Sequence, residues 1–249
     1  MEHPWKAHAP QYDADHLAVW GKNLGFMSDP KFLSAYARGE NSGQVIAQAY
    51  GLDRLGIEWR VHVCCWAAMH ARHLAGDFVE CGVNTGVISL AVCEYIDFNS
   101  TEKSFWLFDT FRGIPQQQIS AAERDRARPE NDRLFPDCWD LARRNFAPFP
   151  RAKLIRGVVP DTLALAPIER VCYLSLDMNI AYPERAAIEY FWPKLTPGAF
   201  VVLDDYAWQG YEEQKASLDA FAAKMNVAIL TLPTGQGLIV KPPDLPRAA

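Results

Sequence analysis

Apolar positions along this chain gather into short, nearly unbroken runs, and most of these runs end on a glycine or an acid. Phe78-Val79-Glu80-Cys81 leads into Gly82, and Phe105-Trp106-Leu107-Phe108 into Asp109. Val171-Cys172-Tyr173-Leu174-Ser175-Leu176 leads into Asp177, and Ala199-Phe200-Val201-Val202-Leu203 into Asp204-Asp205. Apolar runs of this length without polar alternation read as strands covered on both faces, the pattern of a parallel sheet. Residues 153–156 add another strand. Residues 228–232 and 238–241 flank Gly235-Gln236-Gly237 as a closing hairpin.

Between the runs the period lengthens. Residues 57–74 are apolar nearly all round (Val61, Val63, Cys64, Cys65, Trp66, Ala67, Met69), as a buried helix requires. Helices are also expected over 86–98, 136–146, 183–195 (interrupted by Pro193) and 211–225, with 196–198 as a turn. Strands alternating with helices and ending in a hairpin predict an α/β fold. Its sheet is seven-stranded and mostly parallel with one antiparallel strand, and helices cover both faces.

Residues 1–56 carry weaker helical patches at 15–24 and 30–37 and read as an N-terminal helical cap. Residues 57–241 form the main domain, and 242–249 a C-terminal tail. Within 31–43, Tyr36, Arg38, Asn41 and Ser42 either close over a ligand or belong to a surface loop. Residues 115–133 are densely charged without an apolar period, so they are either solvated helix and loop or a lid.

A net charge of −5 gives no reason to expect a nucleic-acid or anionic-membrane partner. No apolar run reaches membrane-spanning length, and Met1-Glu2-His3-Pro4-Trp5-Lys6 lacks the apolar region of a signal peptide. The six cysteines include no Cys-x-x-Cys, which fits reduced thiols in the cytoplasm. His70 and His73 share a helix face, but no third ligand stands near them in the sequence.

The glycine turn after the first long strand reads Glu80-Cys81-Gly82-Val83-Asn84-Thr85-Gly86. Its spacing departs from the Gly-x-Gly-x-x-Gly that cradles a pyrophosphate. An acid before the first glycine suits a nucleoside without phosphates, and S-adenosylmethionine is the candidate; an ordinary strand–turn–helix remains open. Asp109, ending the next strand, is placed to meet ribose hydroxyls, although Asp109-Thr110-Phe111-Arg112-Gly113 is also good turn chemistry. The candidate cofactor residues are Glu80, Gly82, Asn84, Thr85, Gly86, Asp109 and Thr110.

Asp177, Asp204 and Asp205 end two successive strands, which usually lie side by side. Packed carboxylates repel one another unless protonated or neutralised by a cation. Oxygen donors without His or Cys suit Mg²⁺; helix caps or hydrogen bonds to Arg or Tyr are the alternatives.

Four blocks in order resemble the macrocin O-methyltransferase family. They are Phe78–Gly86, Phe108–Pro115, Arg156-Gly157 with Pro160–Leu163, and Leu176-Asp177 with Leu195–Tyr206. The resemblance implies a Rossmann-like class I methyltransferase fold, S-adenosylmethionine as cofactor, a Mg²⁺ ion, and a small-molecule acceptor bearing a sugar or natural-product hydroxyl. It places Glu80, Gly82 and Gly86 at the methionine end, Asp109 at the ribose, and Asp177, Asp204 and Asp205 at the metal. Where the family commonly has a second acid after the first metal aspartate, this chain has Asn179, and no histidine follows His73. Asp177 and then Asp204 are the catalytic candidates. Phe135, Trp139 and Tyr206 are candidate walls of the acceptor pocket, although each taken singly reads first as a core aromatic. The chain either acts alone or as a homo-oligomer. A nicotinamide-dependent oxidoreductase and an inactive methyltransferase-like binding module are the competing readings.

Overall fold

The computed structural model describes residues 8–243. The readings of residues 1–6 and of the tail beyond residue 243 lie outside the described residues. Two sheets are present. The first is a small hairpin, β1 (Tyr12–Ala14) and β2 (Leu17–Val19), followed by helices α1 (Pro30–Glu40), α2 (Ile46–Ala49) and α3 (Glu58–Ala71). Next come β3 (Asp77–Cys81), α4 (Val87–Tyr95), β4 (Phe105–Asp109), α5 (Arg124–Leu134), α6 (Trp139–Phe146) and β5 (Ala152–Arg156). The chain continues with β6 (Val171–Leu176), α7 (Ala181–Phe191), β7 (Leu195–Leu203), α8 (Glu212–Met225), β8 (Leu230–Thr231) and β9 (Gly237–Val240).

The second sheet has the order β5-β4-β3-β6-β7-β9-β8. Only β9 runs antiparallel to its neighbours, as the apolar runs and the terminal hairpin predict. Chain direction across the sheet reverses between β3 and β6, and the crevice at such a point is where open α/β sheets bind ligands.

Strand residues alternate between two cores. Phe78, Tyr173, Phe200 and Val202 face the side covered by α3 and α4, while Val79, Leu174, Val201 and Leu203 face α7 and α8. Burying both faces explains why these strands read as continuous apolar runs.

Three local expectations change. Residues 15–24 open on the turn of the hairpin, not on a helix: Asp15 and His16 both have positive φ, the conformation of a two-residue turn that matches strand twist. Residues 196–198 are not a turn but part of β7. Pro197 has no N–H for the ladder, and the β6–β7 register slips beside it. The helix at 30–37 extends to Glu40. Asp29 accepts from the Lys31 N–H at its start and Pro30 takes the first position, where its missing N–H costs nothing. α1 then packs against α4, so this part of the N-terminal segment shares the main core.

Candidate active site

Sheet register lines up the site. Cys81 pairs with Phe108 and with Leu176, and Leu176 pairs with Leu203. The residues just beyond these strand ends, Gly82, Asp109, Asp177 and Asp204, therefore form one row at the carboxyl rim. Ladder bonds continue into the row: Gly82 donates to the Phe108 carbonyl (2.9 Å), Asp177 to Cys81 (2.8 Å) and Asp204 to Leu176 (2.9 Å). A cavity of about 730 Å³ opens over it.

The glycine-turn half is braced by its own backbone. One Asp109 oxygen accepts from the N–H groups of Val83 (2.5 Å) and Asn84 (2.7 Å), and the other from Phe111 (2.7 Å). Gly82 has φ of 91°, and a Cβ there would collide with the Asp177 carbonyl. Only glycine lets the two strand ends touch. Glu80 is buried beneath the turn. Its Oε1 accepts from Ser89 (3.3 Å) while Oε2 has no partner. Burial, with Asp177 and Asp109 adding to it, pushes this carboxyl well above the usual range.

The acid half is held by distant parts of the chain. The ligand oxygens of Asp177, Asp204 and Asp205 lie within 4.8 Å of one another. Arg60, from the first turn of α3, places Nη2 on Asp204 Oδ2 and 3.4 Å from Asp205 Oδ1. Gln236, in the β8–β9 turn, donates to Asp204 Oδ1 (2.9 Å). Asn179 donates to Asp177 Oδ1 (3.2 Å), its side-chain Oδ1 accepts from the Tyr211 hydroxyl (3.3 Å), and its backbone carbonyl accepts from Arg126 (2.7 Å). Asp205 Oδ2 is buried without a partner. Burial raises both Asp177 and Asp205, and Arg60 opposes it in each. Burial also works against the Arg60 charge, but Asp205, Asp15 and Asp177 outweigh it and hold the guanidinium firmly protonated.

Glu80, Gly82, Asn84, Asp109, Thr110, Asp177, Asp204 and Asp205 all line the one cavity. Thr85 is buried behind the turn, its hydroxyl 2.8 Å from that of Ser42, and Gly86 starts α4 against the Phe146 ring. From the N-terminal segment, Tyr36 bonds to the Ile57 N–H and Ser42 to Thr85, so both brace the site from behind. Of the proposed walls, Phe135 lines the cavity. Trp139 instead packs on Phe111, and Tyr206 is buried in the core with its hydroxyl on Asp219. Tyr50, Trp208 and Tyr211 take their place. The 115–133 stretch runs through a loop and a short helical turn into α5, whose Glu130 and Leu134 line the cavity. Arg60, Gln236 and Asp15 were not visible as site residues. One signal did exist for Arg60: a lone cation opening an apolar helix needs a buried partner.

Over residues 50–229 the chain matches the family described as Macrocin-O-methyltransferase (TylF). It is 29% identical over 188 residues to the 8-demethyl-8-(2,3-dimethoxy-alpha-L-rhamnosyl)-tetracenomycin-C 4'-O-methyltransferase of Streptomyces olivaceus, covering 72% of this chain and 68% of that protein. Demethyldecarbamoylnovobiocin O-methyltransferase of Streptomyces niveus is 25% identical over 171 residues, 66% of this chain and 64% of its own. Mycinamicin III 3''-O-methyltransferase of Micromonospora griseorubida is 24% identical over 208 residues, covering 78% and 76%. Among solved structures, the O-methyltransferase NovP superposes with a TM-score of 0.66 at 23% identity, over 74% of this chain and 79% of that one. Calicheamicin methyltransferase CalS11 gives 0.57 at 15%, over 90% and 99%. The fold is that of the class I methyltransferases, as the sequence blocks imply. These matches do not favour a nicotinamide-dependent oxidoreductase.

Proposed function

We infer that this chain, which belongs to the macrocin-O-methyltransferase family and is an enzyme, moves the methyl group of S-adenosylmethionine to a hydroxyl of a small sugar-bearing or natural-product acceptor. One observation carries the reading: a single cavity joins the glycine turn to the acid floor, so a sulfonium donor and a hydroxyl acceptor can meet above Asp177. The volume falls in the upper part of the range for ligand pockets, about 300–1,000 Å³. The names of the relatives support the acceptor class, one specifying a rhamnosyl tetracenomycin and another mycinamicin III. A further structural neighbour was solved with SAH bound, which supports the cofactor.

Each half has a role. Glu80, whose Oε2 has no partner in the protein, would accept from the ligand's ammonium group, and Asp109 would accept from its ribose hydroxyls. Asn84 and Thr110 wall the same end. Asp177 takes the proton of the acceptor hydroxyl as the methyl transfers; its raised affinity for protons, set by burial, suits a base. Positioning nucleophile and methyl in line supplies much of the remaining rate.

Asp177, Asp204 and Asp205 fit a magnesium ion in donor chemistry, and the buried, partnerless Asp205 Oδ2 is an acceptor that such an ion would satisfy. Asn179 adds no charge, and Tyr211 already engages its side-chain carbonyl. When bound, such an ion would lower the pKa of a hydroxyl held against it. No helix among the described residues is long and apolar enough to cross a membrane. The six buried free cysteines support a reducing, cytoplasmic setting.

Calorimetry is expected to show S-adenosylmethionine and its demethylated product binding in the micromolar range, about −8 kcal/mol. Methyl transfer to a glycosylated acceptor should stop in EDTA and return with Mg²⁺. Asp177→Asn should lower turnover about a hundredfold or more while leaving cofactor affinity nearly unchanged. Binding of a nicotinamide dinucleotide in place of S-adenosylmethionine would sink the assignment. Cofactor binding without turnover of any acceptor would leave the binding-module alternative.

A further inference from the structure

Among the described residues, Arg60 is the cation in direct contact with the Asp204–Asp205 pair, and it belongs to neither strand end. Its Nη2 engages Asp204 Oδ2 and approaches Asp205 Oδ1, and its Nε is 3.4 Å from Asp204 Oδ1. Asp15, Asp204 and Asp205 lie within 3.9 Å of the Arg60 guanidinium and Asp177 acts on it electrostatically. Arg126, which donates to the Asn179 backbone carbonyl, is a second cation whose charge reaches Asp205, so the acids still outnumber the cations. Asp205 lines the cavity, and its Oδ2 is buried without a hydrogen-bond partner. On the opposite side, Asp15 Oδ1 in the β1–β2 turn lies 3.9 Å from Arg60 Nη1. That turn is anchored by the His16 ring, edge-on to Trp208 at 5.4 Å. Arg60 itself lies over Trp208 at 5.7 Å. The guanidinium is thus within reach of two seats, the Asp204–Asp205 pair it occupies and the Asp15 carboxylate beside it.

We propose that Arg60 is a resident counter-ion of the acid floor, which neutralises Asp204 and Asp205 in the ion-free protein and yields them to a divalent cation by turning to Asp15. The proposal rests on the magnesium reading above. It explains how three packed acids coexist before any ion arrives: removing a buried charge from its partner is costly, and the guanidinium supplies that partner. It also makes the metal's apparent affinity depend on a residue that is not a ligand, because ion and arginine compete for the same two carboxylates.

Manganese(II) is the probe, titrated into the cofactor-free chain with the free ion followed by electron paramagnetic resonance. Arg60→Met is expected to bind manganese at least tenfold more tightly than the wild type. Its melting temperature in EDTA should fall and recover when the ion is saturating. Asp15→Asn is expected to weaken manganese binding in the wild type, by removing the second seat. In the Arg60→Met background the same change should have a clearly smaller effect. Should Arg60→Met fail to fold, Arg60→Lys keeps the charge but loses the fork that spans two carboxylates, and is expected to bind the ion more tightly than wild type by a smaller factor.

Equal or weaker manganese binding by the Arg60 variants overturns the competition. An equal effect of Asp15→Asn in both backgrounds overturns the turn toward Asp15. If manganese binds wild type and Arg60 variants alike, the metal reading stands and only the Arg60 proposal falls. If no protein binds manganese and methyl transfer persists in EDTA, both fall.

Discussion

The two halves of the cavity solve the same electrostatic problem by opposite means. At the glycine turn, Asp109 is satisfied by backbone N–H groups of the turn it faces and of its own loop, Val83, Asn84 and Phe111. At the acid floor, Asp204 is satisfied by side chains from remote elements, Arg60 in α3 and Gln236 in the β8–β9 turn. Backbone donors are fixed by the fold and carry no net charge to move. A guanidinium on a long side chain can leave. The first half is therefore suited to hold a cofactor in one pose, and the second to exchange partners as an acceptor and an ion arrive.

The halves meet at one backbone contact, and breaking it should give the largest effect. Gly82→Ala would drive a methyl group into the Asp177 carbonyl at a φ that L-residues rarely adopt. The expected loss is about 3 kcal/mol or more of unfolding free energy, read from urea denaturation. Cofactor affinity should fall with it. Wild-type stability in this variant would mean that the strand ends are not rigidly joined.

A smaller effect should separate the halves. Asp109→Ala is expected to weaken binding of the demethylated cofactor by about 1.5–3 kcal/mol, measured by calorimetry. It should also cost about 2–4 kcal/mol of stability, because three backbone donors lose their acceptor. Asp204→Asn should leave that affinity nearly unchanged while reducing methyl transfer strongly. Equal losses of cofactor affinity in the two variants would erase the distinction between the halves.

A further effect reports on surplus charge beneath the acid floor. Glu184 is buried in α7 and accepts from the Met178 N–H (2.9 Å). Burial, with Asp205 and Asp177 adding to it, pushes its carboxyl from 4.5 up to about 8. The folded chain then keeps a proton that the unfolded chain releases. This group's stabilisation is complete below the unfolded value and is lost as pH rises toward 8. Glu184→Gln keeps the acceptor and removes the titration, so its melting temperature should gain on the wild type as pH rises from about 5 to about 8. A constant difference across that window would mean that Glu184 carries no such proton.

Much of the fold was legible in the chain itself. Uninterrupted apolar strands such as 171–176 announce burial on both faces, and acids or glycines at their ends announce the rim. Those signals are local, because they arise from the strand's own period and from turn chemistry within a few residues. They were enough to place Gly82, Asp109, Asp177, Asp204 and Asp205 on one edge. The hairpin at Tyr12–Val19 escaped because strands of three residues are too short to show an alternation, and Asp15 and His16 are not glycines. Trp139 and Tyr206 could be read as wall or core, and packing chose core, because an aromatic near the rim has the same sequence signature in either place.

The sequence by itself determined the sheet, its two buried faces and the row of functional groups at its carboxyl edge, since backbone periodicity dictates all three. Only the tertiary structure decided how the acids at that edge are neutralised. Arg60 stands 144 residues from Asp204, and Gln236 stands 32 residues beyond it. Charge pairing in a buried cluster depends on distances of a few ångströms, which packing sets and sequence separation does not record.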